Sequence, residues 1–143
     1  YPINHMEGHI ISALIKKIGN NEFEIKDIFK DKNLSLLISG GHTEIIHFQE
    51  FEKYKKIGTT LDDAVGEAFD KTARMLNLPY PGGPEISNLA ELGRRESLKI
   101  DKNFSLPRPM IYSKDFNFSF SGLKTSVLYL IKKINVFVAK NRK

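Results

Sequence analysis

The sequence contains no cysteine among its 143 residues, which excludes disulfide scaffolds, Cys-ligated zinc and cysteine nucleophiles. It also lacks a long apolar run. The longest, Val127-Leu128-Tyr129-Leu130-Ile131, is far short of the ~20 residues a membrane span needs, and no signal-peptide pattern opens the chain. A soluble, cytoplasmic protein with no membrane partner is expected. Acid is missing from one end. From Phe116 onward there are six basic residues (Lys124, Lys132, Lys133, Lys140, Arg142, Lys143) and no Asp or Glu. The net charge is +5, from 22 basic and 17 acidic residues, so residues 1–115 hold 16 basic against 17 acidic, a net of −1. The basicity belongs to the tail, where a charge run is more often a solvated face than a nucleic-acid contact. A tail that did touch nucleic-acid phosphates would do so in a salt-dependent, sequence-blind way.

What is present is ordinary for a globular chain: 41% apolar and 27% charged residues, enough for one domain or part of one that buries roughly 68–70% of its unfolded surface. The chain begins with Tyr1 rather than Met, as a fragment or processed product would.

Apolar spacing predicts an amphipathic helix over Asn4 to Ile18 (Met6, Ile10, Ala13, Leu14, Ile18), stopped by Gly19-Asn20-Asn21. Glu22 to Asn33 has no firm period and reads as a surface connection. Leu34–Ser39 and Thr43–Gln49 read as a hairpin around Ser-Gly-Gly-His, with Phe51–Ile57 as a third, more polar strand. Thr60-Leu61-Asp62-Asp63 approximates a capping box that would start a helix with the stripe Val65, Ala68, Phe69, Thr72, Ala73 and Leu76. Glu67–Lys71 and Asp70–Arg74 would be i,i+4 ion pairs on it, and Leu78-Pro79 would end it. Pro81-Gly82-Gly83-Pro84 feeds another helix, with Pro84 at its first position and Gly93 past its end. Pro107–Tyr112 reads as an edge strand, and Ser121 as the cap of a last helix through Ile134. No internal repeat is visible. Strands mixed with helices give an α/β class.

Four groups of residues could bear chemistry. His5 and His9 lie four apart on a helix, so both imidazoles project from one face; that spacing suits one metal ion, though a bare H-x-x-x-H is more often two exposed polar residues. Glu7 stands ~200° around the helix from His5 at ~100° per residue, which counts against a zincin-type protease. Ser39-Gly40-Gly41-His42-Thr43 follows a strand; its glycines could turn N–H groups to an anion or simply make a hairpin turn. Gly82-Gly83-Pro84 at a helix start is either a second anion cradle or a plain cap. Asp70 faces either a ligand or Arg74. Ser119, Ser121 and Lys124 have no histidine partner nearby, and His47 reads as an ordinary strand residue.

In combination these motifs say more. His5-Met6-Glu7-Gly8-His9, Leu37-Ile38-Ser39-Gly40-Gly41-His42-Thr43-Glu44, Asp62 through Ala73, Tyr80-Pro81-Gly82-Gly83-Pro84, and Phe118 through Thr125 occur in that order. The set strongly resembles the central part of the TsaD family, the tRNA adenosine threonylcarbamoyltransferases once described as glycoproteases. The resemblance implies the actin-like ATPase fold shared with Hsp70 and the sugar kinases (ribonuclease H-like), as a mixed sheet with helices. It also implies transfer of threonylcarbamoyl from threonylcarbamoyl-AMP to a tRNA adenosine next to the anticodon.

Residue by residue, it assigns His5 and His9 as two of three ligands to one divalent ion, iron or zinc. Leu37, Ile38, Ser39, Gly40 and Gly41 become the loop on the adenylate, and Asp70 and Gly83 two further contacts, Asp70 to ribose hydroxyls. The implied partners are tRNA and, in bacteria, the paralogous TsaB subunit and the TsaE ATPase. Residues 1–134 correspond to the central part of the transferase domain and residues 135–143 to a divergent basic tail, such as a frameshift or early stop would leave. The His9–Leu37 connection is longer than usual for the family. The family's opening strands and first phosphate loop have no counterpart before Tyr1, and its later nucleotide contacts and third ligand, an aspartate, none after Lys143. The expectation is therefore a chain of weak or no activity by itself, with uncovered apolar surface. A non-catalytic remnant or partner-binding module is the alternative, and a metalloprotease the last.

Overall fold

The structure, a computed structural model, describes residues 4–25, 33–50, 53–96 and 105–140. Asn4 opens the first helix: its side-chain oxygen accepts from the backbone N–H groups of Met6 (3.0 Å) and Glu7 (3.4 Å), donors that a helix N-terminus otherwise leaves unpaired. This helix, α1, spans His5–Ser12 and stops short of the expected Ile18. Ile15–Lys17 (β1) and Phe23–Ile25 (β2) pair antiparallel instead, closed where the Ile18 and Gly19 N–H groups both donate to the Glu22 carbonyl. Part of the expected surface connection is thus a strand.

The next hairpin matches its sequence pattern. Asn33–Ile38 (β3), Thr43–Glu50 (β4) and Lys53–Thr59 (β5) form an antiparallel sheet in the order β3-β4-β5, with Ile38 opposite Thr43 and Ser35 opposite Ile46. Phe51, the expected start of the third strand, lies outside the described residues. One sheet face carries Leu37, Ile46 and Phe48, and α1 covers it through Ile10; Ile10, Ile46 and Phe48 are buried. The alternate residues Leu34, Leu36 and Ile38 are exposed.

Helix α2 (Val65–Met75) begins four residues later than the capping-box pattern suggests, with Ala64 in place of Thr60 at its N-cap. Thr60 is drawn elsewhere. Its N–H donates to the Thr43 carbonyl (2.9 Å), and it forms a parallel bridge with Phe118. The first α2 N–H, that of Val65, is capped across the chain by the hydroxyl of buried Thr43 (2.9 Å). At the other end Leu78 N–H donates to Ala73 and Asn77 N–H to Arg74, with Asn77 at φ 56°, the left-handed closure that lets a helix stop ahead of a proline.

Helix α3 (Gly82–Arg95) starts two residues before Pro84 and runs through Gly93. Helix α4 (Ser121–Lys140) runs on past Ile134. Pro107–Tyr112 is not a strand; it turns, with Met110 at φ 61°.

Two neighbouring acids tie the helices together. Asp62 accepts from Phe120 N–H (2.8 Å), Ser121 N–H (3.2 Å), Ser119 Oγ (2.6 Å) and Ser121 Oγ (2.7 Å), so it caps α4 from 59 residues away in sequence. Burial works to raise its pKa, but these four donors outweigh it and bring the carboxyl down to about 2. Asp63 pairs with Lys124 on α4 and with Lys71 on α2 (2.8 Å), and those two ammonium groups hold its carboxyl below the usual range. Ser119, Ser121 and Lys124 are thereby occupied in structure.

Candidate functional site

The i,i+4 spacing on α1 brings the imidazoles of His5 and His9 together. Their Nε2 atoms are 3.1 Å apart, the rings are edge-to-face, and both residues are exposed. They line a cleft of about 540 Å³ between α1 and β3, whose opposite wall is Ser35–Ser39 with His42 at its end. Among the described residues no carboxylate lines it, and Glu7 lies outside its lining.

The Ser39–His42 turn closes on itself. Ser39 N–H donates to the His42 carbonyl (2.8 Å), and the Ser39 hydroxyl accepts from the N–H groups of Gly41 (3.2 Å) and His42 (2.9 Å). Gly40 and Gly41 have open space around their α-carbons. The turn is also fixed to α2, since Gly66 N–H donates to the Ser39 carbonyl (3.2 Å). Gly66 must be glycine for this approach: a Cβ there would lie 2.7 Å from the Ser39 oxygen and 2.9 Å from the Gly40 nitrogen.

One stripe of α2 links this turn to the second diglycine. Gly66, Asp70 and Ala73 follow at i, i+4 and i+7. Gly66 meets Ser39-Gly40, whereas Asp70 and Ala73 meet Gly82, where a Cβ would fall 2.4 Å from that of Ala73. Asp70 Oδ1 accepts from Gly82 N–H (2.8 Å), which fastens the start of α3. Asp70 uses that bond where an Arg74 pair was expected; the Glu67–Lys71 pair is present (2.7 Å). The two diglycine turns therefore sit against α2 positions one helical turn apart, about 6 Å at 1.5 Å per residue. Asp70 and Gly83 do not line the cleft that holds the histidines. Thr43 and Gly66, which position the first turn, belong to the motifs quoted from the sequence but were given no role there.

A family model described as "tRNA N6-adenosine threonylcarbamoyltransferase" (TsaD) matches residues 1–141. The chain belongs to this family. Three similar proteins bear that same name. One from Thermosipho melanesiensis is 50% identical over 133 residues, covering 93% of this chain and 36% of the relative. One from Ralstonia pickettii is 46% identical over 134 residues (94% and 34%), and one from Neisseria gonorrhoeae 47% identical over 133 residues (93% and 33%). The chain spans about a third of the length of the curated relatives it matches. The α/β architecture, with antiparallel sheets and helices, accords with the TsaD family's actin-like ATPase fold. Among the described residues no helix is long and apolar enough to cross a membrane.

The Nε2–Nε2 separation, a hydrogen-bond distance between the two imidazoles, is also compatible with a shared metal ion. Two nitrogens each 2.0–2.1 Å from a common ion, at right to tetrahedral angles, stand roughly 2.9–3.4 Å apart, and the observed 3.1 Å lies within that range. Among the described residues no group of three His, Cys, Asp or Glu side chains could complete the coordination.

Proposed function

We propose that this chain carries the donor-binding part of a tRNA N6-adenosine threonylcarbamoyltransferase. The observation that carries the reading is one cleft shared by the His5–His9 pair and by Ser39 and His42, the residues that flank Gly40 and Gly41 in the turn, in a chain of the TsaD family. His5 and His9 would hold one iron or zinc ion, which when bound supplies Lewis-acid polarisation of the acyl group. The Leu37–Gly41 segment lies along threonylcarbamoyl-AMP, where the uncrowded faces of Gly40 and Gly41 let the phosphate approach the backbone. Asp70, with one carboxylate oxygen on Gly82 N–H, offers the rest of its acceptor capacity to the ribose hydroxyls, and Gly83 lies beside it. The chain's part is positioning and electrostatics; none of its side chains needs to act as a nucleophile. The acceptor is a tRNA adenosine, and the setting is the cytoplasm.

The test is a single-turnover assay, with protein in excess over tRNA and threonylcarbamoyl-AMP as donor, run with and without the TsaB and TsaE partners the family resemblance implies. In keeping with the weak or absent activity expected of the chain by itself, threonylcarbamoyl-adenosine should form at most slowly without the partners and faster than the protein-free blank with them. A rate equal to the blank in both arms contradicts the reading.

A further inference from the structure

Three titratable side chains line the cleft beside α1: His5, His9 and His42. Two of them face each other through Nε2 at 3.1 Å. The third does not join them, since among the described residues no three candidate ligands are grouped closely enough to hold an ion. Its mounting differs as well. His5 and His9 ride on α1, whereas His42 ends the β3–β4 turn. The His42 N–H donates to Ser39 Oγ (2.9 Å), and its carbonyl accepts from Ser39 N–H (2.8 Å). Its backbone is therefore pinned to the segment proposed to lie along the donor, while the residue itself is exposed.

The proposed transfer needs a proton acceptor. The adenosine N6 attacks the carbamoyl carbon, an N–C bond forms, and the C–O bond to the adenylate phosphate breaks with its electron pair leaving on AMP. One hydrogen of N6 must depart as a proton. A general base has to stand within hydrogen-bond reach of that nitrogen, and histidine is the side chain most often used. His5 and His9 turn their Nε2 atoms toward one shared position, which leaves His42 as the imidazole of the cleft able to take the proton. Resting on the threonylcarbamoyl-transfer reading, we infer that His42 is the general base that removes the N6 proton of the acceptor adenosine and releases it to solvent.

The experiment compares wild-type protein with His42→Ala and His42→Gln in the same single-turnover assay, together with bound zinc and the dissociation constant for threonylcarbamoyl-AMP. Both variants should transfer about a hundredfold or more slowly, with zinc content and donor affinity within about twofold of wild type. Free imidazole should speed His42→Ala in proportion to its concentration, a rescue that a merely structural defect would not give. His5→Ala should lose zinc and gain nothing from imidazole. Variants as fast as wild type would overturn the inference. So would a slow His42→Ala that imidazole does not help and whose donor affinity has fallen, because His42 would then be a binding contact. Absence of transfer by wild type itself overturns the parent reading, and this inference with it.

Discussion

Removing the Asp62 carboxylate should loosen α4 by a predictable amount. Its two oxygens accept four hydrogen bonds from the Ser119–Ser121 segment. A lost N-terminal cap costs about 0.5–2 kcal/mol, and hydrogen bonds to a charged acceptor about 1.5–3 kcal/mol. Asp62 is exposed, so solvent screening pulls the total toward the lower end. We expect about 1–2 kcal/mol for Asp62→Ala, weighing the cap loss against that screening. With a urea slope of about 1–3 kcal/mol/M, the unfolding midpoint should fall by roughly 0.5–1 M. Asp62→Asn, which keeps one acceptor oxygen, should lose less.

The charge makes the effect pH-dependent in one direction. The folded pKa, about 2, lies below the ordinary 3.8, so the carboxylate's contribution is complete above 3.8 and disappears as pH falls toward about 2. The gap between wild type and Asp62→Asn should be constant near neutral pH and close through that window. An unchanged midpoint for Asp62→Ala, or a gap that persists at pH 2, would refute the capping role.

Two further substitutions probe the glycine turn. Gly66→Ala gains about 1 kcal/mol of helix propensity, but its Cβ would press on backbone atoms of Ser39 and Gly40 at 2.7–2.9 Å, an overpacking worth about 1–3 kcal/mol. The net effect should be a lower thermal midpoint and weaker donor binding by calorimetry, and a variant equal to wild type in both would contradict the contact. Thr43→Val removes the acceptor for Val65 N–H and should cost about 1–3 kcal/mol in chemical denaturation. Thr43→Ser retains the hydroxyl and should recover most of that loss.

The hairpin was legible because alternation and a diglycine turn agree at Leu34–Gln49. The histidine pair was legible because four residues make about one helical turn. Elsewhere, distant partners overrode local pattern. Ile10, Leu14 and Ile18 fit a helical period, yet Ile18 bonds to Glu22 and the chain folds back as β1–β2. Thr60 and Asp62 have the look of a local helix start, yet Thr60 binds Thr43 and Phe118 while Asp62 caps α4. Asp70 had Arg74 one turn away and bonds instead to Gly82. In each case the winning contact joins segments whose proximity no short sequence window encodes. The order of the family motifs singles out Asp70 and the second diglycine as candidate contacts, where spacing alone favoured a salt bridge and a plain turn.

The central claim is that the histidine cleft and the two glycine turns serve one acyl-adenylate. Its most direct test is an amide chemical-shift titration of isotope-labelled protein, loaded with zinc, against a non-hydrolysable threonylcarbamoyl-AMP analogue. Shifts should concentrate at Ser39–His42, Asp70, Gly82 and Gly83, with the side-chain signals of His5 and His9 moving in the same titration. Shifts confined to the separate groove formed by Pro107–Phe120, with the glycine turns and both histidines unmoved, would contradict the account.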